Sequence, residues 1–264
     1  MAVQESAAAH GLTALTGLEL DRLTERQVGD HVLAGLAHGQ GGWLATLNID
    51  ICRAVRHDPH LSGLLAAASL KLPDGMPLLW AARLRGDPLP ERVTGASLIY
   101  SLSEAAAAAG RSVYLLGGAA GVPEQAGTAL RERYPGLVVA GVNAPPVGFD
   151  TSPEGLRAVR DRLTTAAPDI VFVGLGFPKQ ERLITGLAPV LPRTWFVACG
   201  AAIAFAAGAH PRAPEWMQHS GLEWLFRLAT EPRRLARRYL IDDLPFAARL
   251  LASSAAERLT GGRG

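Results

Sequence analysis

Ile170-Val171-Phe172-Val173-Gly174-Leu175-Gly176-Phe177-Pro178-Lys179-Gln180-Glu181 is the stretch from which the fold can be read. Four apolar residues, three of them β-branched, form a continuous run suited to a strand buried on both faces. Gly174 and Gly176 then free the backbone to turn, and Lys-Gln-Glu after a proline opens a helix predicted over 179–190. A strand that ends in glycine and passes into a helix is the repeating unit of an open α/β sheet. Such sheets bind ligands beyond the carboxyl ends of their strands.

The same unit recurs on either side. Apolar runs at 43–47, 113–116, 137–142 and 195–198 alternate with helix-like stretches at 51–57, 76–84, 95–109, 123–134 and 153–166, punctuated by Gly110, Gly136 and Pro168. The fold class expected is therefore α/β, a Rossmann-like, mostly parallel sheet with helices on both faces. From Arg212 onward the alternation stops and the pattern turns helical over 216–228, 232–239 and 245–259, with Pro232 and Pro245 placed as helix starts. Three segments follow: a frayed Ala/Ser/Gly-rich terminus over 1–16, an α/β core over 17–211 and a C-terminal helical appendage over 212–264.

Composition narrows the function. A net charge of +2 gives no global field for nucleic acid. Charge is concentrated locally, however, with five arginines against one glutamate between Arg227 and Arg238, which suits phosphates or an anionic membrane surface. The longest apolar run, 195–209, is too short to span a bilayer, and the N-terminus lacks the pattern of a signal peptide. Cys52 and Cys199 stand alone, without disulfide or zinc spacing, and a reducing cytosol is the simplest compartment. No Asp-x-Asp pair offers clustered oxygens to a divalent cation, so no metal is expected.

Polar residues sit at the predicted strand ends. Asp74, between Pro73 and Gly75 and just after Leu70-Lys71-Leu72, presents a carboxylate from a tight turn; it is either turn chemistry or a general base. Thr46 and Asn48 follow the first core strand and suit sugar hydroxyls, although Asn48 or Asp50 serves equally as a helix cap. Arg92, just before a helix start at Gly95, can add fixed positive charge where backbone N–H groups already favour anions. Gly117 and Gly118 begin an incomplete glycine fingerprint, as do Gly174 and Gly176, so a dinucleotide cofactor is not expected, whereas a nucleotide sugar needs only such permissive loops. Lys179 can face phosphate, Gln180 can bond sugar or phosphate oxygens, and Glu181 can accept from ribose or favour the helix N-terminus.

Thr46-Leu47-Asn48-Ile49-Asp50, Pro73-Asp74-Gly75, Arg92-Val93-Thr94-Gly95, Pro178-Lys179-Gln180-Glu181 and the tail from Arg212-Ala213-Pro214, in this order and spacing, resemble the WecG/TagA/CpsF glycosyltransferases, glycosyltransferase family 26. The resemblance runs from about Leu44 to about Arg238. It implies an inverting transfer from a UDP-sugar, most often UDP-N-acetylmannosamine, to a polyprenyl-diphosphate-linked saccharide in cell-surface polysaccharide or teichoic acid synthesis. Asp74 would be the base, with Thr46, Asn48 and Arg92 beside it, and no cofactor is implied. Gly117, Gly118, Gly176, Lys179, Gln180 and Glu181 would hold substrate. Arg227, Arg234 and Arg237 would meet the lipid diphosphate from an appendage at the cytoplasmic face of the plasma membrane. No nucleic-acid partner is implied, and a homo-oligomer is left open. One departure is Ala204, which stands where the family usually has an aspartate. Two rival readings are a non-catalytic nucleotide-sugar or lipid-phosphate binder and an NAD(P)-dependent oxidoreductase.

Overall fold

The computed structural model describes residues 11–214, 216–217 and 221–261, without the side chains of Arg234 and Thr260. The chain opens with a hairpin, β1 (Leu12–Leu15) paired antiparallel with β2 (Leu18–Asp21). The expected fraying over 1–16 is thus corrected for its second part. Leu15, Leu18 and Leu20 bury in the core, and the Asp21 carboxylate accepts from the Lys71 N–H at 2.6 Å. Residues 1–10 lie outside the described residues.

Six parallel strands form the main sheet: β3 (Gly42–Leu47), β4 (Leu70–Pro73), β5 (Ser112–Gly117), β6 (Val138–Asn143), β7 (Ile170–Gly174) and β8 (Trp195–Ala198), in the order β4-β3-β8-β7-β5-β6. Their side chains alternate between two separate cores, as a period of two requires. Trp43, Ala45, Leu47, Val171, Val173 and Phe196 face one core. Leu44, Leu70, Leu72, Ile170, Phe172 and Val197 face the other. Both faces are dry, which is why these strands read as continuous apolar runs.

One face is covered by α2 (Ile49–His57), α3 (Pro59–Ala66), α4 (Met76–Arg85), α7 (Pro153–Ala166) and α8 (Lys179–Leu187). The other face is covered by α1 (Glu25–Ala37), α5 (Gly95–Ala108), α6 (Val122–Arg133) and α9 (Ala202–Ala206). Helix α1 was not anticipated, although Thr24 and Gln27 close a capping box and Val28, Val32 and Leu36 share its buried face. The apolar run after β8 winds into α9.

The tail comprises α10 (Glu223–Thr230), α11 (Pro232–Ala236), a π-helical stretch over Arg237–Asp243, and α12 (Leu244–Gly261). Helices were expected from Trp216 and anew from Pro245. Trp216 and Met217 are helical as expected, but Gly221 turns at φ +78° before α10, and the last helix does not begin at Pro245: it continues from the π stretch through Leu244. The tail is fastened to the core: Ala247 and Leu250 bury with the first core cluster, and Arg85 pairs with Glu257 at 2.8 Å.

Candidate active site

The carboxyl ends of the six parallel strands share one edge of the sheet, and glycine lets them crowd. A Cβ on Gly117 would overlap the Gly174 carbonyl oxygen, and one on Gly174 would stand 2.7 Å from the Gly200 oxygen. Only bare backbone can bring the ends of β5, β7 and the turn after β8 so close.

Asp74 follows β4 at this edge. Its N–H donates to the Leu47 carbonyl at 2.7 Å, and its carboxylate accepts from the N–H of Gly95, the first residue of α5. A Cβ on Gly95 would lie 2.7 Å from the Cys199 Cα, so glycine is what allows the start of α5 to reach the end of β8. Thr94 caps that helix reciprocally with Ser97, and the Val93 N–H donates to the Pro73 carbonyl at 2.9 Å. Arg92 is thereby fixed beside Asp74. Burial pushes the Asp74 carboxyl up to about 6, against the pull of Arg92 and Arg227 and with the push of Glu223.

Arg227 comes from α10. Its guanidinium lies 5.7 Å from the Phe205 ring centroid, and its Nε is buried with no hydrogen-bond partner among the described residues. Glu223, one turn earlier, pairs with Arg92 at 3.2 Å. The sequence reading missed Glu223, because no local signal links residues 131 positions apart.

Thr46 is buried, with its hydroxyl donating weakly to the Ala198 carbonyl at 3.4 Å. Asn48 caps α2, its Oδ1 accepting from the Ile51 N–H at 3.1 Å. Among the described residues its amide NH₂ has no hydrogen-bond partner. Asp50 instead binds Arg53 at 2.7 Å and Arg238 at 3.0 Å. With Asp243, also paired to both arginines, it joins the tail to α2.

Gln180 is spent inside the protein. Its Oε1 accepts from the Gly176 and Gly200 N–H groups at 3.2 Å each, and its Nε2 donates to Glu181 at 2.9 Å. Gln180 therefore ties the β7 and β8 loops together, a role that spacing alone does not reveal. Glu181 is 1% exposed, and its second carboxylate oxygen has no partner among the described residues. Burial raises this acid to about 7. Lys179 pairs with Asp150 at 2.9 Å and lies over the Phe149 ring. Gly118 and Gly176 both turn at positive φ in the loops of this edge. Arg237 is exposed on the π stretch, and the Arg234 side chain lies outside the described residues.

The structure thus gathers Asp74, Arg92, Glu223, Arg227 and the Gly95 N–H into one charged cluster, with Gln180 and Glu181 bracing the neighbouring strand ends. A half-buried carboxylate with raised proton affinity beside two guanidinium groups can take a proton while anionic charge develops nearby. A model described as the Glycosyl transferase WecG/TagA/CpsF family matches residues 13–260. The chain belongs to this family.

Two relatives carry the same name, N-acetylglucosaminyldiphosphoundecaprenol N-acetyl-beta-D-mannosaminyltransferase. The protein of Bacillus spizizenii (strain ATCC 23059 / NRRL B-14472 / W23) is 30% identical over 202 residues, 76% of each chain. That of Bacillus subtilis (strain 168) is 28% identical over 197 residues, 75% of each chain. The glycosyltransferase has no helix, among its described residues, long and apolar enough to cross a membrane. Among those residues, too, no group of three or more His, Cys, Asp and Glu is placed to hold a metal ion. Ala204, the departure from the family pattern, lies on α9 next to Phe205, the residue under Arg227.

Proposed function

We propose that the chain transfers N-acetylmannosamine, or a related hexose derivative, from its UDP conjugate to a polyprenyl-diphosphate-linked saccharide, in one displacement that inverts the anomeric centre. The observation that carries this reading is Asp74. Its carboxylate is anchored by the Gly95 N–H, desolvated to a proton affinity near neutrality, and flanked by Arg92 and Arg227. Asp74 takes the proton of the acceptor hydroxyl as that oxygen attacks the anomeric carbon. The bond to UDP breaks, and Arg92 with the N-terminus of α5 receives the negative charge of the departing diphosphate. The names of both Bacillus relatives support the sugar and the lipid-linked acceptor.

A lipid-linked acceptor places the work at a membrane surface, with the protein peripheral on its cytoplasmic face. Trp224, Leu225, Leu240, Ile241 and Leu244 of the tail are all exposed, and Arg237 lies among them. Apolar side chains interleaved with basic ones suit insertion at the headgroup level of an anionic bilayer. The test is to incubate the full chain with a panel of UDP- and other nucleotide sugars and a short-chain lipid-diphosphate N-acetylglucosamine acceptor, and to weigh the products. Addition of one N-acetylhexosamine from UDP-N-acetylmannosamine supports the reading. Nucleotide binding with no product from any donor would replace it with a non-catalytic binding protein.

A further inference from the structure

Glu223 is a charged side chain that the reaction just described does not use, and it is not at the surface. It opens α10, is 14% exposed, and accepts from Arg92, itself 18% exposed, at 3.2 Å. A pair this withdrawn from water is held at the expense of desolvating both ions, so it is weak evidence for stability alone. Its position is more informative. Among the described residues, the charged and polar groups facing Asp74 are Arg92 from the segment before α5, the Gly95 N–H of α5, and Glu223 and Arg227 of α10. The two arginines draw the proton away from Asp74, and Glu223 opposes them. Without the opposing charge of Glu223, Asp74 would be held more strongly as an ion-pair partner and would be a poorer proton acceptor.

Resting on the reading of Asp74 as the base, we propose that Glu223 is a positioning residue of the transfer reaction: it holds the Arg92 guanidinium and screens its charge from Asp74. Because Glu223 belongs to the tail, the base is fully basic only where α10 is docked on the strand ends. The same carboxylate limits how strongly Arg92 holds a diphosphate, so it favours turnover over tight binding of the departing UDP.

The test is Glu223→Gln, which keeps shape and hydrogen bonding and removes the charge, assayed with donor and acceptor from pH 5 to 9. At neutral pH kcat should fall roughly 3- to 10-fold as the base weakens. The acid limb of the kcat profile should move down by about one pH unit. Donor KM should not rise, because Arg92 is left with less negative charge around it. An unmoved acid limb, or a raised donor KM with kcat intact, overturns the proposal. Should the single variant fold poorly, Arg92→Gln/Glu223→Gln removes both charges of the pair together and is compared with Arg92→Gln. If Glu223 acts through Arg92, the two agree within about two-fold; a further loss equal to that of an independent site overturns it. Asp74→Asn is run alongside. An inactive Asp74→Asn beside a Glu223→Gln enzyme of wild-type rate and pH profile sinks this inference alone. A fully active Asp74→Asn sinks the base reading itself, and this inference with it.

Discussion

Glu181 provides a stability prediction that can be worked from its surroundings. It is 1% exposed, one carboxylate oxygen accepts from Gln180, and the other has no partner among the described residues. Burial raises it from the ordinary 4.5 to about 7. Between those values the unfolded chain has already lost the proton that the folded chain keeps, so stability falls as pH rises through this window and the full penalty is present above it. At about 1.4 kcal/mol per pH unit, the penalty is on the order of 3 kcal/mol. Glu181→Gln keeps an acceptor for Gln180 and cannot ionise. Urea denaturation at pH 5 and pH 8 should show the variant close to wild type at the lower pH and more stable by roughly 2–3 kcal/mol at the higher. Equal stability of the two proteins at pH 8 would show that Glu181 is hydrated or paired in solution, and the argument from its burial would fail.

Gly95→Ala places a methyl group against the Cys199 backbone and must displace the N–H that anchors Asp74. Transfer should fall by roughly 100-fold with the fold retained by circular dichroism, and near-normal turnover would refute the close approach of α5 to β8. Binding to anionic vesicles should weaken as salt rises, at roughly 1 kcal/mol per basic residue near the surface, and should be largely lost in the Arg233→Gln/Arg237→Gln variant, which removes two exposed charges of the tail. Sedimentation of that variant with vesicles at the wild-type level would assign the tail to packing alone. Turnover should persist after exhaustive chelation, since the leaving diphosphate meets Arg92 and a helix N-terminus. A strict requirement for added magnesium or manganese, restored by titration, would contradict this.

The sheet was legible because its central strands are buried on both faces. Ile170–Gly174 and Trp195–Ala198 stand out in a 264-residue chain by their unbroken apolar runs. The hairpin was not, because only Leu15, Leu18 and Leu20 of its short strands reach the core and the preceding residues are low in complexity. Helix α1 carried a readable capping box at Thr24 that the strand-first reading passed over. At the site, Asp74 could be found from its turn because Pro-Asp-Gly announces a carboxylate at a strand end. Gln180 could be located but not interpreted, since its three bonds depend on how β7 and β8 are juxtaposed. Glu223 and Arg227 meet Arg92 and Asp74 only through docking of the tail, a tertiary fact with no local signature.

The most direct test of the account is single-turnover transfer by wild type and Asp74→Asn, with UDP-N-acetylmannosamine and a short-chain lipid-diphosphate N-acetylglucosamine acceptor, read by product mass, alongside UDP binding by calorimetry. Asparagine keeps the size and polarity of the side chain and removes its basic electron pair. The account predicts transfer reduced by roughly 10²- to 10⁴-fold with UDP affinity close to that of wild type. Transfer by Asp74→Asn at the wild-type rate would contradict it.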